Sequence, residues 1–272
     1  MDIRSSVPGD PPREVTLHKR VPRSRYSRTV TALTLPTQHW GDPSADRRAL
    51  LLHGLSSSGA TWWRVAEALA ADGWSVTAVD LRGHGTAPAG DHYAVADYAS
   101  DLPGFGWDLV IGHSLGGAVA VVAALQPGFA DRVILLDPAL YVPDEDWEAV
   151  RAEQLSELTL TEQSLRSSQV PWTERDIAIK LDAVHHATAA MIEGTLDDNH
   201  PWSVLDSLPE LTVPTLILTG DPAVFTMLPP EIADAAVAAN PLVEYQVIPG
   251  AAHSPHREQP ELTLAAIRDW LA

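Results

Sequence analysis

A serine lies at the centre of Gly112-His113-Ser114-Leu115-Gly116-Gly117, directly after the apolar run Leu109-Val110-Ile111 and directly before an Ala/Val-rich stretch. A serine hydroxyl is a weak nucleophile until a base takes its proton, and it is best presented on a sharp turn from a strand into a helix. Glycines two positions before and after it keep such a turn free of collisions with neighbouring backbone. The helix start then offers free N–H groups and the positive end of a dipole to developing negative charge. A glycine-rich turn with a serine cap would share the pentapeptide, but not the buried strand before it and the apolar helix after it. Ser114 is therefore the candidate nucleophile of an acyl-transfer reaction.

Its expected partners are read by position. Leu51-Leu52-His53-Gly54-Leu55 ends another apolar run, where the following loop can donate a backbone N–H to an oxyanion. Leu55 is the first choice for that donor, Ser56 the alternative, and the N–H of Leu115 is the second donor. Pro249-Gly250-Ala251-Ala252-His253-Ser254 lies between the last strand and the last helix, which makes His253 the candidate base. His39, His92, His200 and His256 read as surface histidines. His185 and His186 are adjacent, so on a helix they face different ways and make a poor metal pair. No metal and no cofactor are expected.

Residues 49–53, 75–80, 108–112, 132–137, 215–219 and 243–248 have the apolar character of buried strands, and 61–71, 115–125, 231–239 and 261–271 have helical apolar faces. Their alternation predicts a doubly wound, mostly parallel α/β sheet. Segments 14–19 and 29–35 add an antiparallel pair at one edge, for eight strands in all. Between Pro138 and about Pro209 the alternation breaks into an acidic stretch with helical patterns at 144–158 and 174–193 and with Trp147, Trp172 and Trp202. It is too long for an ordinary connection and predicts an inserted helical lid over the strand C-termini, where ligands of open α/β sheets bind. The expected organisation is a basic arm and first strand at 1–28, a core at 29–137 and 210–272, and a cap at 138–209. Tyr141, Trp172 and Trp202 are the candidate substrate contacts.

The formal charge of −18 is uneven. Residues 1–28 hold seven Lys/Arg against three Asp/Glu, while the remaining 244 hold 11 against 33. An acidic body argues against nucleic acid as a partner, and the basic arm reads as a terminus whose charges aid solubility. There are no cysteines, so thiolate chemistry, disulfides and thiolate zinc sites are unavailable. No apolar run approaches the roughly 20 residues of a membrane span, and no apolar segment follows the charged first residues. The expectation is a cytoplasmic protein, monomer or homodimer, acting on a small molecule without a membrane partner.

The succession of His-Gly, Asp80-Leu81-Arg82-Gly83-His84-Gly85, Gly-His-Ser-Leu-Gly-Gly, lid, Gly220-Asp221 and Gly-Ala-Ala-His, from about residue 29 to 272, resembles the α/β-hydrolase superfamily. The resemblance implies the order serine, acid, histidine along the chain, an eight-stranded sheet and hydrolysis through an acyl-enzyme. It also implies that Asp80, Arg82 and His84 shape the structure rather than react. The acid usually follows strand seven, commonly three residues past a glycine; here that position holds Ala223, and Asp221 stands one past Gly220. Some members place it after strand six, where Val133-Ile134-Leu135-Leu136-Asp137-Pro138 offers Asp137. Both carboxylates stay open, Asp137 placed first. The similarity to lid-bearing carboxylesterases and lactone hydrolases, with the tryptophans of the lid, implies an ester or lactone of an apolar or aromatic small molecule. A C–C bond-cleaving or a non-hydrolytic enzyme of this fold, and a slow-turnover ligand receptor, are the alternatives. Dehalogenases and epoxide hydrolases carry Asp where Ser114 stands.

Overall fold

The computed structural model describes residues 32–168 and 172–272. Among the described residues seven strands form one sheet: β1 (Thr37–Trp40), β2 (Arg47–Leu52), β3 (Trp74–Val79), β4 (Leu109–His113), β5 (Val133–Leu136), β6 (Thr215–Thr219) and β7 (Val243–Val247), in the order β1-β3-β2-β4-β5-β6-β7. β1 runs antiparallel to β3 and every other pairing is parallel. Parallel strands need long crossovers, and helices supply them: α1 (Trp63–Ala71), α2 (Val95–Ser100), α3 (Leu115–Ala124) and α8 (Pro230–Ala239), with α9 (Pro255–Glu258) and α10 (Pro260–Leu271) closing the chain. Between β5 and β6 lie α4 (Trp147–Ser156), α5 (Glu162–Ser167), α6 (Glu174–His186) and α7 (Ala189–Asp198).

The strands read as unbroken apolar runs because both faces are covered. Leu50 and Leu52 join Ala118, Val119 and Val121 of α3 on one side, while Ala49 and Leu51 join Val65 and Leu69 of α1 and Ile267 of α10 on the other. From β2 the chain steps to β3 on one side and then to β4 on the other, so the order reverses between β2 and β4. The crevice at such a reversal is where α/β sheets bind ligands, and the register Leu52↔Gly112 brings the loops after β2 and β4 side by side there.

Some expectations are corrected. Segment 14–19 lies outside the described residues, and the described part of 29–35 holds no strand. The antiparallel edge strand is β1, beyond Pro36, whose carbonyl accepts from Asp80 N at 3.0 Å. Proline has no N–H to give a ladder, so pairing begins after it, and the exposed, mostly polar Thr37-Gln38-His39 carries little apolar signal. The stretch 174–193 is two helices, because Thr188 leaves helical geometry and caps α7 by accepting from Met191 N at 3.1 Å. Residues 144–158 begin and end in 3₁₀ turns around α4. Among the described residues no helix is long and apolar enough to cross a membrane.

Candidate active site

Ser114 occupies the turn between β4 and α3 with φ 52° and ψ −118°, a conformation that costs an L-residue roughly 1–3 kcal/mol. The flanking glycines make the turn possible. A Cβ on Gly112 would come 2.3 Å from Gly116 O, and one on Gly116 would come 2.2 Å from Leu52 O. Among the described residues the non-glycine positions with positive φ are Ser56, Ser114 and Asp137. They lie in the connections that follow β2, β4 and β5, and strain gathered in one place points to function.

Asp137 directly follows β5 and is fully buried. Its Oδ2 accepts from His253 Nδ1 at 2.7 Å and from Met227 N at 2.9 Å, and its Oδ1 accepts from Thr226 Oγ1 at 2.5 Å and Gly220 N at 3.4 Å. The imidazole is 30% exposed. Burial acts to lower the His253 pKa, but the hydrogen bond to Asp137 and the charge of that carboxylate outweigh it and hold the pKa above the ordinary histidine value. Asp221 stands apart from this pair. Its carboxylate accepts from Gly250 N and Ala223 N, both at 2.9 Å, bonds that lower its pKa and tie the loop after β6 to the loop carrying His253.

His113 donates from Nε2 to His253 O at 2.8 Å, anchoring the imidazole's loop to the residue before Ser114. His256, expected at the surface, is buried. It stacks on Trp62 at 4.8 Å and meets the His113 ring at 4.9 Å. The helix α9 folds inward against that aromatic wall, which the sequence around it does not announce. Burial holds both His113 and His256 well below the ordinary pKa, so neither adds charge beside His253.

The loop after β2 is built as rigidly. His53 Nδ1 donates to Gly54 O at 2.7 Å and its Nε2 accepts from Leu81 N at 3.0 Å. That fixes a neutral tautomer, and burial pushes the pKa down to about 4. A Cβ on Gly54 would stand 3.1 Å from Ser114 Cβ, so the Gly54-Leu55 peptide lies directly against the serine. Leu115 begins α3, where the first N–H groups have no intrahelical acceptor. Ser56 is fully buried, and its Oγ donates to the Glu157 carboxylate and contacts Leu55 O at 2.8 Å.

Asp80, Arg82 and His84 are all buried. Asp80 accepts from Gly59 N and Thr86 N at 2.8 and 3.0 Å. Arg82 grips Asp101 through Nε and Nη2 at 2.7 and 2.8 Å. Of the aromatic candidates, Trp202 is buried with its indole N–H on Ala139 O at 2.7 Å. Trp172 is half-buried beneath the Arg257 guanidinium at 4.8 Å, and Tyr141 is 38% exposed. Sequence reasoning missed Thr226 and Met227, which hold Asp137, and the exposed Phe225, whose ring lies 6.3 Å from that of His253. A loop of no regular pattern carries all three. Among the described residues no group of three or more histidines and carboxylates is placed to hold a metal.

The model of the Alpha/beta hydrolase family matches residues 49–266, and the chain belongs to that family. It is similar to 2-(acetamidomethylene)succinate hydrolase of Mesorhizobium japonicum, 27% identical over 254 residues that take in 82% of this chain and 87% of the relative. Lipase LipV of Mycobacterium tuberculosis is 36% identical over 115 residues, so the chain spans 43% of that relative's length and 40% of its own. Among solved structures, a thermophilic esterase from Thermogutta terrifontis superposes with a TM-score of 0.68 at 27% identity, over 87% of this chain and 92% of that one. Fold, family and relatives together define a hydrolase.

Proposed function

We propose that the protein is a serine hydrolase that opens a carboxylic ester or lactone of an apolar small molecule through an acyl-enzyme. Ser114 Oγ attacks the carbonyl carbon while His253 takes the hydroxyl proton. Asp137 fixes the imidazole tautomer and steadies the imidazolium. The Leu55 and Leu115 N–H groups receive the oxyanion. The imidazolium then protonates the departing alkoxide, and a water activated by the same imidazole releases the acid. The observation that carries this reading is the 2.7 Å bond from His253 to the fully buried Asp137, on a loop tied to the residue before a strained serine. The names of the esterase and lipase relatives agree with an ester, and the exposed Phe225, with its ring 6.3 Å from that of His253, suits an apolar group.

The test is hydrolysis of p-nitrophenyl esters of increasing acyl length and of a lactone series, with a carboxylate-bearing ester included because one relative is named for a succinate. Wild type is expected to turn over at least one of them and Ser114→Ala none, with an unchanged melting temperature. Wild-type rates in Ser114→Ala would remove the proposal. Ser114 that reacts with a fluorophosphonate while no ester or lactone is turned over would move the reading to another substrate class or to a receptor.

A further inference from the structure

Two charged side chains of the β5–β6 insertion are more than nine-tenths buried, which is rare unless they are paired. Asp176 and Lys180 lie four residues apart on α6 and so share a face; Asp176 reaches the start of α1 and Lys180 the loop after β2. Asp176 accepts from Trp63 Nε1 at 2.9 Å and stands 3.5 Å from Arg64 Nη2. Lys180 Nζ donates to Ser56 O at 3.2 Å, contacts Ser56 Oγ at 3.4 Å and pairs with Glu157 Oε2 at 2.8 Å. Glu157 belongs to a 3₁₀ turn after α4, and its carboxylate also receives the Ser56 hydroxyl. Lys180 is one of two lysines in a chain with sixteen arginines. A compact ammonium suits a point contact with one carbonyl better than a planar guanidinium does.

The group so held is Ser56, fully buried, at φ 50°, next to Leu55. The core fixes the two ends of this loop, through His53 to Gly54 O and Asp80 to Gly59 N. Its strained middle is gripped from the insertion. A buried ion pair is a weak source of stability but a good device for position. We propose that Lys180, together with Glu157, is a positioning residue that holds the Leu55-Ser56 turn in place, so that the oxyanion hole is complete only when α6 and the Glu157 turn are seated on the core. This rests on the reading of Leu55 as an oxyanion donor. Seating of the insertion and assembly of the site become one event, and an unseated insertion leaves Ser114 without full acceptor geometry.

The experiment compares wild type, Lys180→Met and Glu157→Gln. It reads ester turnover, binding of a trifluoromethyl ketone that forms a tetrahedral adduct with Ser114, and the rate of Ser114 labelling by a fluorophosphonate. Losing one oxyanion donor outright costs about 10²–10³ in kcat, so a loosened donor is expected to cost Lys180→Met about 10- to 100-fold in kcat. KM should stay within about threefold, and the affinity for the ketone should fall in step with kcat/KM. Glu157→Gln, on a partly exposed side chain, is expected to move the same quantities in the same direction by a smaller factor. A purely structural role would lower the melting temperature or the titratable fraction of Ser114 without separating kcat from KM. Lys180→Met with wild-type kcat and wild-type labelling overturns the proposal. If that variant does not fold, Glu157→Gln with unchanged kcat and labelling overturns it. Wild type that labels but hydrolyses no ester or lactone counts against the proposed substrate class alone, because the labelling rates still test the latch. Wild type that does not label overturns both.

Discussion

A carboxylate that steadies an imidazolium must be kept from water and must aim one oxygen at the imidazole N–H. Asp137 meets both conditions, whereas Asp221 spends its oxygens on the backbone N–H groups of Gly250 and Ala223. Asp137→Asn is therefore expected to lose about 10⁴-fold in turnover through a wrong imidazole tautomer. Asp221→Asn should lose less than about tenfold, through a looser loop. Comparable losses in the two variants would remove Asp137 from the mechanism. The pH profile adds an independent readout. His253 must be neutral to take a proton, so kcat/KM should fall as pH drops through its pKa, and Asp137 raises that pKa above the ordinary histidine value. The residual activity of Asp137→Asn is expected to keep its acid limb at lower pH than wild type; a limb that stays in place would assign the titration to another group.

At the scale of elements, the elbow is held by backbone contacts that leave no room for a side chain. A Cβ on Gly116 would lie 2.2 Å from Leu52 O and 2.6 Å from His53 O, and neither backbone atom can move without disturbing β2. Gly116→Ala is expected to cost at least about 2 kcal/mol in denaturant unfolding and to abolish turnover, while Gly128→Ala, with open space around its Cβ but a φ of 77°, should lose about 1–2 kcal/mol to the left-handed backbone and keep activity. An active, fully stable Gly116→Ala would mean that the loop after β2 yields. This packing also explains what the sequence disclosed. The turn around Ser114 was legible because the residues that mark it fall within six positions, and the loop position of His253 because it follows from the chain order. Which of Asp137 and Asp221 bonds to His253 was not, since both follow a strand. What separates them is the way the loop after β6 brings Thr226 Oγ1 and Met227 N onto Asp137, 89 and 90 residues away along the chain. The contact of Lys180 with Ser56 spans 124 residues and had no local signature. His256 misled for the same reason, because its burial depends on Trp62 and His113 from other elements. Pro36 displaced the edge strand from the apolar run before it to the polar run after it.

For the whole molecule, the balance of charge and burial sets how it responds to acid. His53, His84, His113 and His256 are buried and neutral, with pKa values pushed down by burial, to about 4 for His53 and about 3 for His84. In the unfolded chain each titrates near pH 6.5. A group whose folded pKa is depressed leaves the unfolded state holding more protons, so its stability contribution is complete above about pH 6.5 and declines as pH falls towards the folded value. Each such histidine removes about 1.4 kcal/mol per pH unit inside that window. His253 acts in the opposite sense, because Asp137 raises its folded pKa, but one group does not offset four. Partial neutralisation of the −18 charge on acidification relieves repulsion and also opposes the trend, and salt separates the two effects because it screens exposed charges far more than buried ones. The melting temperature is expected to be level from pH 8 to 7, to fall from about pH 6.5, and to fall with nearly the same slope in 0.5 M sodium chloride. A midpoint that holds steady or rises between pH 6.5 and 5 in high salt would mean that these histidines take up protons in the folded state, and that the rigid neutral His53 beneath the Gly54 carbonyl is not part of the working structure.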